Sequence, residues 1–304
     1  MLNKGINMKH LEDTMIKNVK VEQSSSGNIW KYVFYPENAI TESVLYKYNS
    51  FMDRTVLCIS VQSGCPVGCS FCGTGKNFIR NLTADEIVTQ VHYIFKDKDI
   101  DINKVKKLQI MFMSMGEPFL NYIEVASAIR ILNAIYPTAQ LLVSTIAPKM
   151  VVILEDFIQM SDNIPQIGLQ FSIHKSDDDR RNELIPFKNK LSLIEIRDYG
   201  IKWWKATGRK PYCNYCIDYF NNKHTDFISL RDMFPKDIFC FTFSVICPLD
   251  KCDMHQDLTE IREFEQSFID AGYDTRIFDP DGQDDIGAGC GQLWFVQDFL
   301  KESK

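Results

Sequence analysis

Residues 56–75 read VLCISVQSGCPVGCSFCGTG. The apolar run 55–61 has strand character and ends in a glycine-containing loop that holds Cys65, Cys69 and Cys72 in the spacing C-x3-C-x2-C. Thr83 then opens an amphipathic stretch with Glu86 three residues on, the S/T-x-x-E pattern of a capped helix start. Strand, cysteine loop and helix in succession form a β/α unit whose chemistry sits at the carboxyl end of its strand.

The same alternation continues downstream. Strands are expected at 55–61, 107–113, 141–145, 166–173, 211–218, 239–246 and 274–278. Helices are expected at 83–95, 122–135, 151–160, 191–207, 226–233 and 258–271. Repeated βαβ units imply an α/β fold with a parallel sheet, either a full or partial barrel or an open doubly wound sheet; periodicity leaves these open. Polar groups recur at successive strand ends: the cysteines after the first, Gly116–Glu117–Pro118 after the second, Ser144 at the third and His174 at the fourth. One active-site face would produce that pattern. Residues 1–53 follow a different rule, with an SSSGN turn signal and β-like runs at 29–35 and 42–48. They predict a small N-terminal β extension, leaving 54–304 as the main domain.

Composition narrows the class. With 304 residues, 45% hydrophobic and 24% charged, the chain can bury one large core. No apolar run reaches the roughly 18 residues of a membrane span, and the start is too polar for a signal peptide, so a cytoplasmic protein is expected. A net charge of −6 argues against nucleic-acid binding through the overall field. Local basic runs at Lys104, Lys106 and Lys107, and from Lys202 to Lys210 around Trp203 and Trp204, are better explained as solvated helix faces. Ten cysteines without a secretory start suggest metal or thiol chemistry rather than a disulfide framework.

Three thiolates on so short a loop can ligate three irons of a [4Fe-4S] cluster and leave the fourth iron open. A small chelating molecule can occupy that iron, and in radical enzymes it is S-adenosylmethionine (SAM). Zinc fits less well, because zinc loops favour C-x2-C pairs and need a fourth ligand, and His92 lies on the following helix. Cys58, taken alone, is a buried strand cysteine. Cys290 stands in GAGCGQL, where the neighbouring glycines suggest a mobile, closely approached loop.

CISVQSGCPVGCSFCGTG, RNLTADEIVTQV, MSMGEPFLN, VSTIA, FSIH and DDIGAGCGQL together resemble the radical SAM adenosine methyltransferases of the RlmN/Cfr type, in the family's order and over most of the chain. We therefore expect a partial (β/α)6 TIM-like barrel. The resemblance implies a [4Fe-4S] cluster on Cys65, Cys69 and Cys72. It places Gly116, Glu117, Ser144, Ser172, Ile173 and His174 around SAM, with Glu117 holding the amino group and Ile173 acting through its backbone. It implies that Cys290 carries a methyl group from one SAM, and that a radical from a second SAM activates this group for addition to adenine. Cys58 then closes a disulfide with Cys290 and frees the methylated base, with Glu42 as proton acceptor. The implied partners are tRNA or large-subunit rRNA and an electron donor such as flavodoxin or ferredoxin; a monomer without membrane contact is expected.

The substrate carbon implied is adenine C2, with C8 the alternative. A radical SAM activase of a partner protein is a further alternative, but it needs neither Cys58 nor Cys290. Two departures from the family stand out. Only 41 residues precede Glu42, where relatives carry an RNA-gripping helical domain, and Cys247 replaces an asparagine before Pro248. Cys213, Cys216, Cys247 and Cys252 have the composition of a second metal site, yet strand alternation puts Cys213 and Cys216 on opposite faces.

Overall fold

The computed structural model describes residues 18–217, 223–245, 258–278, 286–289 and 292. It begins with an antiparallel meander of β1 (Val19–Gln23), β2 (Ile29–Phe34), β3 (Thr41–Tyr48) and β4 (Arg54–Ile59). A two-stranded ribbon, β5 (Gln62–Gly64) and β6 (Phe78–Asn81), brackets the cysteine loop. The main sheet then runs parallel from β4 through β7 (Lys107–Phe112), β8 (Gln140–Thr145), β9 (Ile167–Ser172), β10 (Tyr212–Ile217), β11 (Cys240–Val245) and β12 (Thr275–Phe278). Among the described residues it has ten strands, β1 to β4 followed by β7 to β12, each beside its predecessor.

The helices are α1 (Ala84–Asp97), α2 (Tyr122–Ile135), α3 (Val151–Asn163), α4 (Asp178–Leu184), α5 (Leu193–Thr207), α6 (Lys223–Met233) and α7 (Leu258–Asp270). The capping box expected at Thr83 and Glu86 is formed, and Arg80 pairs with Glu86 at 2.7 Å. A second box, Ser192 with Glu195, starts α5, and Gly208 ends it in the left-handed conformation. None of the described helices is long and apolar enough to cross a membrane.

Alternation along the strands divides the interior in two. Leu57, Ile110, Val143, Leu169, Phe171, Tyr215 and Phe243 point outward and join helix residues such as Val91, Ile129, Phe157 and Trp203 in the larger core. Val44, Tyr46, Val56, Cys58, Met111 and Leu142 point inward and form a smaller one. The sheet curls around that inner face: Phe278 on β12 meets the Tyr46 ring on β3 edge-on at 5.7 Å. This is the partial barrel the resemblance implies. The N-terminal meander extends the same sheet, since β3 carries its inward residues beside those of β4.

Several members of the basic runs sit in surface ion pairs. Lys104 binds Asp101, Lys106 binds Asp53 and Lys202 binds Glu155, while Trp203 is fully buried in the core.

Candidate active site

The cysteine loop is tied at its root and rim by backbone bonds. Cys65 N–H donates to the Asn77 carbonyl at 3.0 Å, Cys72 N–H to that of Cys69 at 3.1 Å, and Ser70 N–H to that of Leu184 at 2.9 Å. Gly64 is required at the root: its φ is +75°, and a Cβ there would lie 1.8 Å from the Asn77 oxygen. The closure turns Cys65, Cys69 and Cys72 into a cavity of about 140 Å³ that Gly116, Glu117, Ser144, Ser172 and His174 also line. Residues from the ends of β7, β8 and β9 thus meet the loop after β4, as the strand-end pattern predicts. Burial pushes the Cys65 thiol up to about 12 and raises the Cys69 and Cys72 thiols as well.

Gly116 has φ +97°, and a Cβ on it would sit 2.6 Å from the Gln62 Cβ, so the turn before Glu117 packs directly against β5. The Glu117 carboxylate is buried and accepts from Thr145 Oγ1 at 2.6 Å, Phe119 N–H at 3.0 Å and Ile146 N–H at 2.9 Å. Desolvation raises its pKa to about 7, against the pull of those three donors. A carboxylate offers about four acceptor positions, so Glu117 spends most of its capacity pinning the loop after β8.

Ser144 Oγ accepts from Gln170 Nε2 at 3.2 Å. Ile173 turns its side chain into the helix-facing core and donates its N–H to the Asn214 carbonyl at 3.1 Å; it is not among the described residues that line the cavity. His174 adopts φ +58° and is buried, and its Nδ1 accepts from Cys216 N–H at 3.2 Å, which places the imidazole proton on Nε2. Burial, with Arg181 and Lys175 nearby, lowers its pKa to about 3. Burial thus favours the neutral ring, with its proton on Nε2.

Sequence reasoning missed Arg181. It is fully buried behind the loop and donates to the carbonyls of Leu191 at 2.8 Å and Ile146 at 2.9 Å, joining α4 to the end of β8. It lies in a short polar helix, DDRRNEL, whose pattern carries no core-facing signal.

Cys58 is on the inward face of β4 with its Sγ 4.0 Å from Met111 Sδ, in the same buried cluster as Ile286 and Ala288. Cys290 lies outside the described residues, as do Cys247 and Cys252, but residues just before it are held by the meander. Lys31 Nζ donates to the Gly287 carbonyl at 2.9 Å and the Ile286 carbonyl at 3.3 Å, and Tyr46 OH to the Ala288 carbonyl at 2.9 Å. Gln292 binds Gly289 through its side-chain oxygen at 2.9 Å and its N–H at 3.1 Å. Glu42 pairs with Lys31 at 2.8 Å, both side chains fully buried. No disulfide joins two described cysteines.

Cys213 lies in the outer core and Cys216 lines the cavity, so the opposite faces expected from strand alternation are realised. Among the described residues, no three His, Cys, Asp or Glu side chains converge on a single metal ion. The three loop thiolates line one cavity, and in a cubane cluster each would take a different iron.

No family model matches the chain. Among curated proteins it is 32% identical over 265 residues, 84% of this chain and 68% of the relative, to the probable dual-specificity RNA methyltransferase RlmN of Heliobacterium modesticaldum. It is 31% identical over 283 residues, 91% of this chain and 79% of the relative, to the protein of the same name from Pseudothermotoga lettingae. Among solved structures, a radical SAM methyltransferase from Sphaerobacter thermophilus is similar with a TM-score of 0.79 and 28% identity, over 94% of this chain and 84% of that one. The curled parallel sheet with a three-cysteine loop at its strand ends is that of a radical SAM enzyme, whose cofactors are a [4Fe-4S] cluster and SAM. Within that class, the chain belongs to the RlmN family of methyltransferases.

Proposed function

We propose that this enzyme methylates carbon 2 of an adenosine in tRNA or large-subunit rRNA, through a methylated Cys290 and a covalent enzyme–RNA adduct. The observation that carries the reading is the placement of Cys58 in one buried cluster with Ile286 and Ala288, just upstream of Cys290, on the inner face of the barrel. The RNA methyltransferase names of the relatives support the substrate class.

Cys65, Cys69 and Cys72 would hold the cluster, and Gly116, Glu117, Ser144, Ser172, Ile173 and His174 the SAM beside it. When bound, these cofactors supply a methyl group and a hydrogen-abstracting radical. The chain's own tasks are positioning and thiol exchange. His174 offers a neutral N–H donor, its ring oriented by the Cys216 N–H, and Glu117 holds the end of β8 through Thr145 and Ile146.

Cys290 serves as the thiolate that accepts the methyl group. In the release step, once the adduct has given up one electron and the ring proton, the Cys58 thiolate attacks the Cys290 sulfur: an S–S bond forms, the bond from that sulfur to the methyl-derived carbon breaks, and its electron pair leaves with the base and takes up a proton, which completes the methyl group. Glu42 is the candidate acceptor of the ring proton. Taking up a proton would dissolve its ion pair with Lys31 and loosen the Lys31 hold on the 286 and 287 carbonyls.

Anaerobic reconstitution with iron and sulfide, mass spectrometry of Cys290 and nucleoside analysis of RNA from expressing cells test the proposal. S-methylcysteine at 290 and 2-methyladenosine are expected; 8-methyladenosine would correct the substrate carbon, and neither modification would overturn the reading. Cys58→Ala should accumulate a covalent enzyme–RNA adduct, and free turnover by that variant would remove Cys58 from the resolving role.

A further inference from the structure

A second cavity, about 300 Å³, opens inside the barrel toward the amino ends of the strands, away from the cysteine loop. It shares only Met113 and Asn214 with the lining of the cysteine cavity. Its size is at the lower end of small-molecule pockets, which start at about 300 Å³.

Three cations line it. Arg54 begins β4 and Lys107, its register partner, begins β7, while Arg276 comes from β12 on the far side of the order. No carboxylate is among the described residues that line it. Both guanidinium groups are fixed in place. Arg54 lies over the Tyr48 ring at 4.3 Å and donates from Nε to Gln109 Oε1 at 3.0 Å, and Arg276 lies over the Tyr212 ring at 4.1 Å and donates to its hydroxyl. Lys107 is solvent-exposed at the mouth, where partial desolvation and then the Arg54 and Arg276 charges lower its pKa. Thr242, next to Arg276 in the register, also lines the space; it is only 6% exposed, and its Oγ1 has no hydrogen-bond partner.

Like charges held together with an unpaired buried hydroxyl raise the energy of the empty site. An oxyanion between them answers both costs. Arginine forks and a lysine ammonium suit phosphate oxygens, and a threonine hydroxyl adds a neutral donor. The volume leaves room for the organic group that carries the phosphate. We propose that this cavity binds a small phosphate monoester, its dianion held between Arg54, Lys107 and Arg276 and hydrogen-bonded by Thr242. The cavity adjoins the cysteine cavity through Met113 and Asn214, and its lining residue Met111 touches Cys58, but Arg54, Lys107, Arg276 and Thr242 belong to neither and the proposal does not depend on the function assigned there.

Calorimetric titration of the full-length, anaerobically reconstituted protein with adenosine 5′-monophosphate, inorganic phosphate and adenosine tests this. The two phosphates bind and adenosine does not. Arg276→Gln and Lys107→Met each weaken phosphate binding by roughly tenfold, the loss of one charge-assisted contact. Thr242→Val weakens it severalfold, and Thr242→Ser restores it. Lys107 is exposed at the mouth, so Lys107→Met keeps the fold and its methylation rate while losing affinity. Adenosine binding as tightly as its monophosphate, or unchanged affinity in the Lys107 and Arg276 variants, overturns the proposal. Loss of phosphate binding in Cys65→Ala, with the Lys107 variant unaffected, would place the ligand in the cysteine cavity instead. A short single-stranded RNA that displaces the monophosphate with the same dependence on Lys107 and Arg276 would also overturn the small-molecule assignment.

Discussion

The two faces of β10 show one residue type in two roles. Cys213 points outward among the aromatic residues beneath the helices, and burial drives its thiol pKa far up. Cys216, three residues on, points inward, lines the cysteine cavity and donates its N–H to His174. Both side chains are almost completely buried. Burial therefore does not separate packed from cavity-lining positions in this barrel; the side of the pleat does. Outward positions are apolar and packed against helices, whereas inward positions at the strand ends, such as Ser144, Ser172 and Asn214, carry hydroxyls and amides around open space.

That contrast can be broken or sharpened by substitution. The largest effect is expected inside. Cys69→Ala should reduce methylation to background and strip iron from the reconstituted protein, read by iron content and visible absorbance, with little change in urea unfolding. On the outer side, Trp203→Ala should cost about 3–5 kcal/mol of stability while the folded fraction keeps its specific activity. A variant that lost activity per folded molecule would mean the helix-facing core tunes the site.

The buried pair on the inner face should combine both behaviours. Lys31→Met removes the cation from a buried ion pair and should cost about 3–5 kcal/mol, and the double variant Lys31→Met/Glu42→Leu should recover most of it. Methylation should stay low in both, because the hold on the 286 and 287 carbonyls is gone. Full activity in the double variant would reduce the pair to a packing element.

Glu117 supplies a smaller, pH-dependent effect. Its folded pKa of about 7 lies above the ordinary 4.5, so the folded state retains a proton that the unfolded chain has released between those values. Stability of the cluster-free protein should therefore fall as pH rises from about 4.5 to 7, by roughly 2–3 kcal/mol for this group. Glu117→Gln should flatten that slope in denaturant titrations. The smallest effect belongs to Cys213→Val, a near-isosteric change that should cost less than about 1.5 kcal/mol and leave iron content and methylation unchanged. The same change at Cys216 should lower activity more than stability.

Much of this was legible in the chain. The alternation of apolar runs and amphipathic stretches located most strands and helices, because a parallel sheet buried under helices needs near-continuous apolar strands. The cysteine spacing and the motifs at the strand ends predicted which residues would share a cavity, since loops at one end of a parallel sheet converge. The β5–β6 ribbon was not legible: its first strand is three residues long and shows no usable period. Nor was α4, whose polar sequence hides a fully buried arginine.

The three-cysteine loop, its flanking strand and capped helix, and the opposite faces of Cys213 and Cys216 were determined by sequence alone, because spacing, capping and strand alternation are local properties. The Lys31–Glu42 pair and its grip on carbonyls more than 240 residues away were decided only by tertiary structure. So was the meeting of Arg54, Lys107 and Arg276 around one cavity. Each depends on how far the sheet curls, and that curl is set by the packing of both faces at once, which no local pattern records.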